Sequence, residues 1–380
     1  MASQSLLVVL SPTIVAIGVE LGASVGAVGQ ARTVMAAVAI GASIAIARRI
    51  DAIGVPRLLG LGAGLSIAAC AAVAASPTLP AFLAAHVVVG AGFACLLSAG
   101  FAGVAAFRGE RRPRAMGHVA GANGLAWIVV NPVAGLLTDE LSWRAAQAAP
   151  AAIAVAALLA ARLAAPAPGR GTAPTVRTVL GHASARRWIA VEVIAYGSWT
   201  ALLTFIGAYF IERLGAGEAA VGWFLAAGAG VYFLAATRSG DLVGSLERRR
   251  LVAWSALAMA ALALLQLTAG PSLGLAVGLF CLIGLAAGIR TPASSGLGLD
   301  QLPGNPGAMM SARTAATQLG YLVGGAVGGA LIAGVGYAAL GVAIAVGMAI
   351  SAHLVMRVAD PRDLSQPARP VQGAAPPPRL

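Results

Sequence analysis

The sequence predicts an all-α membrane protein: twelve transmembrane helices in two pseudo-symmetric six-helix bundles. Three observations carry that prediction. Hydrophobic residues make up 59% of the 380 positions and charged ones only 10%, with a mean hydropathy of +0.87. A soluble fold has about a quarter of its residues charged, because its surface must face water. The few charges collect in short clusters, separated by apolar runs of roughly 18–25 residues, the length a helix needs to cross a bilayer. Finally, one internal segment recurs later in the chain at a constant offset.

Taken in order, the apolar runs place six spans near 4–20, 25–47, 57–76, 80–107, 114–138 and 143–163, and six more near 188–211, 219–238, 250–269, 272–297, 311–333 and 335–356. The runs are rich in Ala, Leu, Val and Gly and do not alternate strictly, so they read as helices and not as the strands of a membrane barrel. The first, "MASQSLLVVLSPTIVAIGVEL", lacks a positive leader and a cleavage site. It is a slightly short first helix, either beginning at the surface or preceded by chain upstream of Met1.

The connections alternate in charge. Loops after even-numbered spans, at 48–57, 108–114, 162–187, 238–250 and 357–379, are rich in Arg; loops after odd-numbered spans are short or acidic. All 25 basic residues are Arg, and only Arg32, Arg144 and Arg213 depart from the basic side. Basic loops stay in the cytoplasm, so both termini are expected there, in a multi-pass protein of the plasma or bacterial inner membrane. The expected organisation is a bundle over 1–164, a cytoplasmic linker over 165–187, a second bundle over 188–356, and a disordered Pro-rich tail over 357–380.

Composition also excludes. The sequence pI near 11.2 invites a nucleic-acid reading, but no basic residue sits in an aromatic-interleaved patch or a soluble domain. Cys70, Cys95 and Cys281 lie inside apolar runs without metal-ligand spacing. There is no Walker-type lysine and no arrangement for hydrolysis. The expectation is therefore no enzyme, no cofactor and no metal. The expected partners are a small-molecule solute, protons and the lipid bilayer, around a monomer.

The recurring segment is "AVG" at 27–29 followed by "RLL" from Arg57, matched by "AVG" at 220–222 and "RLV" from Arg250. The offset is 193 residues at both ends. Spans 2 and 3 thus match spans 8 and 9. Two similar halves related by an axis along the membrane normal are an arrangement of secondary transporters that rock about a midplane site.

On these residues the chain resembles the major facilitator superfamily. That family's first loop reads Gly-x-x-x-Asp-Arg-x-Gly-Arg-Arg. Here Asp51 and Gly54 match, with Ala47, Ala52, Val55 and Pro56 departing and Arg57 just beyond. In the second half Gly240, Arg248 and Arg249 match, while Gly244 and Glu247 depart. Span 5, "GANGLAWIVVNPVAGLL" with "SWR" at 142–144, resembles the family's drug–proton antiporter signature through Pro132, Gly135, Trp143 and Arg144, with Asn131 where Gly is usual. In span 4, His86 stands where the family's Arg-x-x-x-Gly-x-Gly has its arginine, ahead of Gly90 and Gly92. A histidine there can take a proton itself or be a satisfied packing residue.

The resemblance implies a cavity lined by spans 1, 4, 7 and 10, and an ionisable group inside a membrane is a functional candidate by default. Glu192 lies roughly 8 Å into span 7 from its basic end, and Arg290 roughly 27 Å into span 10 from the other, at about 1.5 Å per residue. Their depths match, and we expect an ion pair that protonation of Glu192 would release. The alternative is that Glu192 reaches the interface or pairs with Arg187. Arg32 can meet an anionic solute or bond carbonyls near the outer gate. Tyr196, Trp199 and Trp127 can wall an apolar ligand or simply pack. Gly320, Gly324 and Gly328 repeat every fourth position of span 11 and predict close packing, against span 2. Asp51, Gly54, Arg57, Gly240, Arg248 and Arg249 are expected to anchor topology and latch the bundles, and Asn131, Pro132 and Gly135 to bend span 5. The leading functional reading is proton-driven efflux of small organic or drug-like molecules. The runner-up is uptake or exchange of a small organic anion, and a membrane sensor or embedded enzyme comes third.

Overall fold

A computed structural model describes residues 1–47, 49–104, 107, 111–163, 176–240, 246–302 and 306–360. The described residues are helical throughout, with no strand. Span 1 comprises Ala2–Val8 and Leu10–Glu20; span 2 is Val25–Ala47, span 3 Val55–Ala74, span 4 Leu79–Gly103, span 5 Arg111–Glu140 and span 6 Trp143–Ala148 with Pro150–Ala161. Span 7 is Ala183–Leu214, span 8 Glu218–Arg238, span 9 Arg248–Thr268, span 10 Leu273–Leu299, span 11 Pro306–Gly334 and span 12 Tyr337–Val355. By length and composition eleven of these can cross a membrane, or twelve when the bent pair forming span 1 counts as one. Large apolar side chains such as Trp254 (70% exposed), Leu275 and Val346 face outward, as a lipid-facing surface requires.

Three local details differ from the sequence expectation. Span 1 is not one rod: its two pieces meet at 45° around Val9. Pro12 is the cause, since it has no N–H for the carbonyl of Val8 and its ring crowds that carbonyl. Thr13 Oγ1 donates instead to the carbonyls of Val9 (2.9 Å) and Leu10 (3.2 Å). Second, the expected 165–187 linker is partly helix: Val176–Gly181 is a short helix with Val179 fully buried, and span 7 begins at Ala183. Third, the Gly320/Gly324/Gly328 stripe faces span 7 and not span 2. A Cβ on Gly324 would lie 2.2 Å from the carbonyl oxygen of Gly197, and one on Gly328 2.9 Å from Phe205. The face beside it, Gly325 and Gly329, meets span 2 at Thr33 and Gly26.

The duplication is visible in the packing. In the first bundle span 4 packs on spans 2 and 3, span 3 on span 6, and span 1 on span 5; the second bundle repeats each pairing as 10 on 8 and 9, 9 on 12, and 7 on 11. The bundles join along two equivalent seams, 2 with 11 and 8 with 5, flanking a contact of span 1 with span 7. Lipid tails are as apolar as leucine, so helices here associate by close fit, and small residues permit it. A Cβ on Gly26 would fall 2.3 Å from the oxygen of Gly329, on Gly135 2.4 Å from that of Glu218, on Gly207 2.3 Å from that of Ser11, and on Gly222 2.5 Å from that of Asn131. These four backbone approaches all lie toward the end of the molecule that carries the short acidic loops.

Each bundle also clasps its first span to its sixth at that end. Glu20 accepts from Trp143 Nε1 (2.5 Å) and from Arg144 Nη2 (2.7 Å), while Arg144 Nη1 donates to the carbonyls of Ala74 and Ser76. In the second bundle, Glu212 accepts from Tyr337 Oη at 2.6 Å, with Arg213 over the tyrosine ring.

Candidate functional site

Trp188, Glu192 and Tyr196 follow one another at four-residue intervals on span 7 and so share a face. That face looks at spans 10 and 11. Glu192 is completely buried, and its carboxylate is satisfied from both. Oε1 accepts from Arg290 Nη2 at 3.0 Å and from Ser294 Oγ at 2.9 Å, both on span 10; Oε2 accepts from Arg313 Nε at 3.1 Å, on span 11. Arg313 Nη2 also donates to Tyr196 Oη at 2.7 Å. Trp188 Nε1 donates to the backbone and side-chain oxygens of Ser294. It reaches them because Gly298 is bare: a Cβ there would fall 2.1 Å from the indole.

The expected Glu192–Arg290 pair therefore forms, and the alternative partner does not: Arg187 donates to the carbonyl of Arg357. Sequence reasoning missed Arg313 and Ser294. Arg313 stands only seven residues from the start of span 11 and reads as part of its basic margin. The usable signal was stoichiometric, since a carboxylate offers about four acceptor positions and one guanidinium could not fill them. Pro292, inside span 10, also went unread; it sits between Arg290 and Ser294.

Beside the cluster lies a cavity of ≈ 30 Å³ lined by Tyr196, Trp199, Tyr232, Met259, Arg290 and Met348, among others, more than the roughly 10–15 Å³ that holds one water. Arg290 Nε is buried without an acceptor. Trp199 stacks on Tyr232 with centroids 6.4 Å apart. Trp127, by contrast, is half-buried on span 5 and packs into the first bundle.

The remaining candidates scatter. His86 is buried, with Nδ1 2.8 Å from the carbonyl oxygen of Phe82 and its ring 4.5 Å from the Phe82 ring. Arg32 is buried where the bundles meet and donates from Nε to Thr204 Oγ1 on span 7 at 3.3 Å. Asn131 and Pro132 are buried against Gly222, and Gly135 against Glu218; Asn131 Nδ2 donates to the carbonyl of Trp127 at 2.7 Å. Thus the span-5 motif forms one wall of the 5–8 seam. At the opposite end, Gly54 takes φ 81° between the short helix Ile50–Ile53 and span 3, a conformation glycine adopts without strain. Arg57 and Gly240 are exposed. Arg248 pairs with Asp300 and Arg249 with Glu247. The side chain of Asp51, and Gly244, lie outside the described residues.

No curated protein matches the sequence. The fold is similar to the crystal structure of the nucleoside transporter NupG, with a TM-score of 0.77 at 12% identity, covering 94% of this chain and 97% of that one; at that identity the likeness speaks for the fold alone. Residues 1–217 and 188–378 each match the family model described as Major Facilitator Superfamily. The two matches overlap over residues 188–217, which hold most of span 7. This multi-pass membrane protein, with a transporter's fold, belongs to the Major Facilitator Superfamily.

Proposed function

We propose that the chain is a secondary active transporter that exports a small organic solute by alternating access, with proton uptake and release at Glu192 as the coupling step. One observation carries this reading: a fully buried carboxylate holds arginines from two different helices, Arg290 and Arg313. Protonation would cancel the charge that both guanidinium groups face. Spans 10 and 11 would then lose their shared tie to span 7. Span 11 is also the partner of span 2 at the acidic-loop end, so loosening one end of that helix bears on the seam at its other end. The acidic-loop end is closed here, and in alternating access the opposite end would be the open one. Asn131, Pro132 and Gly135 act in this scheme as the span-5 face that slides on span 8. Asp51, Arg57, Arg248 and Arg249 belong to loops that the expected orientation places in the cytoplasm.

The test is transport by proteoliposomes under an imposed pH gradient, with ethidium and benzoate as probes. Glu192→Gln keeps the shape of the carboxyl but cannot exchange a proton. It is expected to abolish gradient-driven accumulation while exchange of probe across the membrane at equal pH persists. Gradient-driven accumulation by Glu192→Gln at the wild-type rate would refute the coupling role. A second reading, exchange of a small organic anion, is favoured by the charge balance of the spans: Arg290 and Arg313 share a single carboxylate, and Arg32 pairs with none among the described residues.

A further inference from the structure

Arg32 is a buried cation with neutral neighbours. It projects from span 2 across the bundle interface, and Nε shares the hydroxyl oxygen of Thr204, whose own proton goes to the carbonyl of Thr200 at 2.7 Å. Nη2 is sealed from solvent and finds no acceptor. His86 on span 4 and Tyr321 on span 11 are close enough to feel its charge, but the His86 Nδ1 position is committed to Phe82. No carboxylate of the described residues comes within ion-pair range of it, whereas Arg144, Arg248, Arg290 and Arg313 each have one. Gly325 lets span 11 descend onto this point: a Cβ there would lie 3.2 Å from Arg32 Cβ and 2.8 Å from Thr33 Oγ1.

Closure of the acidic-loop end therefore encloses an uncompensated guanidinium, and a buried charge without a partner is strongly disfavoured. An arginine in that position presents a planar fork suited to a carboxylate or a similar anion. We propose that Arg32 docks an anionic group, either a carboxylate on the transported solute or a small inorganic anion, and that this group supplies the counter-charge under which the acidic-loop ends close. The proposal rests on the transporter reading and narrows its solute toward small organic anions. It also gives the cycle a coupling rule: the loaded protein closes over Arg32 readily, the empty one does not, so exchange runs faster than net flux.

The experiment is thermal unfolding of the purified full chain in detergent. It is titrated with sodium benzoate or sodium chloride, with a bulky sulfonate salt balancing ionic strength. A ligand that binds only the folded state raises Tm as it saturates. A saturable rise with benzoate alone assigns the solute's carboxylate; a rise with chloride as well assigns a small inorganic anion. Arg32→Gln is expected to lose the response, with a Tm in sulfonate at or above that of wild type. Arg32→Lys keeps the charge without the fork and is expected to need about tenfold more benzoate. No saturable response from wild type to either salt overturns the proposal. So does a wild-type titration curve from Arg32→Gln, or, should that variant not fold, from Arg32→Lys. Because the readout is binding, a flat titration beside intact proton-driven transport condemns the anion site alone, and wild-type gradient-driven accumulation by Glu192→Gln beside a normal titration condemns the coupling role alone.

Discussion

The two bundles repeat one another in scaffold and part company in chemistry. Their helices pair in the same order, and their first and sixth spans are clasped by equivalent groups. Glu20 and Glu212 lie within one residue of the 193-residue offset, as do Trp143 and Tyr337. Yet among the described residues the first bundle buries no carboxylate; its buried basic groups are His86, bonded to its own helix, and an arginine that reaches out of the bundle. The second encloses a carboxylate, two arginines, a serine and a tyrosine in one connected network. The shared part supplies two rigid bodies and two equivalent seams. The unshared part supplies a buried charged network on one side of the molecule.

That contrast can be broken at several places, and the largest effect belongs to the second bundle. Glu192→Ala leaves two guanidinium groups facing each other in a buried site, and removing one partner from such a network costs about 3–5 kcal/mol. A large fall in the yield and Tm of folded protein is the expected outcome. Glu192→Ala with wild-type stability would mean that water already screens the cluster. Next come the seams. Gly26→Val and Gly222→Val each force side-chain atoms into a backbone carbonyl of the opposite bundle, and overpacking of this kind costs about 1–3 kcal/mol. Faster hydrogen exchange near residues 204–211 should report opening of the acidic-loop end in both variants. A response from only one would show that the two seams are not equivalent. Smaller again is Tyr337→Phe, which removes one hydrogen bond to Glu212, worth about 0.5–1.5 kcal/mol and read as a small drop in Tm. The smallest effect is expected from Glu20→Gln. Its pair with Arg144 has side chains 32% and 47% exposed, and exposed pairs contribute about 0–1 kcal/mol.

Much of this was readable from the sequence, for physical reasons that also explain what was not. Span number, the twofold repeat and the loop pattern follow from run length and charge, which are local properties. The Glu192–Arg290 pair was readable because ionisable groups inside apolar runs are rare and depth along a helix follows from rise per residue. Arg313 was hidden by the same rule, since its nearness to a loop made it look like topology. Which way a helix faces is not local, so the span-11 glycine stripe was assigned to span 2 when it packs on span 7. The break in span 1 has a sequence signal in Pro12 that the continuity of the apolar run masks.

Pro292 gives the cluster a mechanical side. It stands in the turn of span 10 that separates Arg290 from Ser294, the two residues gripping Glu192 from that helix. Lacking an N–H, it leaves the carbonyl of Gly288 without its usual rung, so span 10 is weakened at the height where it is held. Under the proposed coupling, a proton arriving at Glu192 would free span 10 at its weakest rung, where a small force goes furthest.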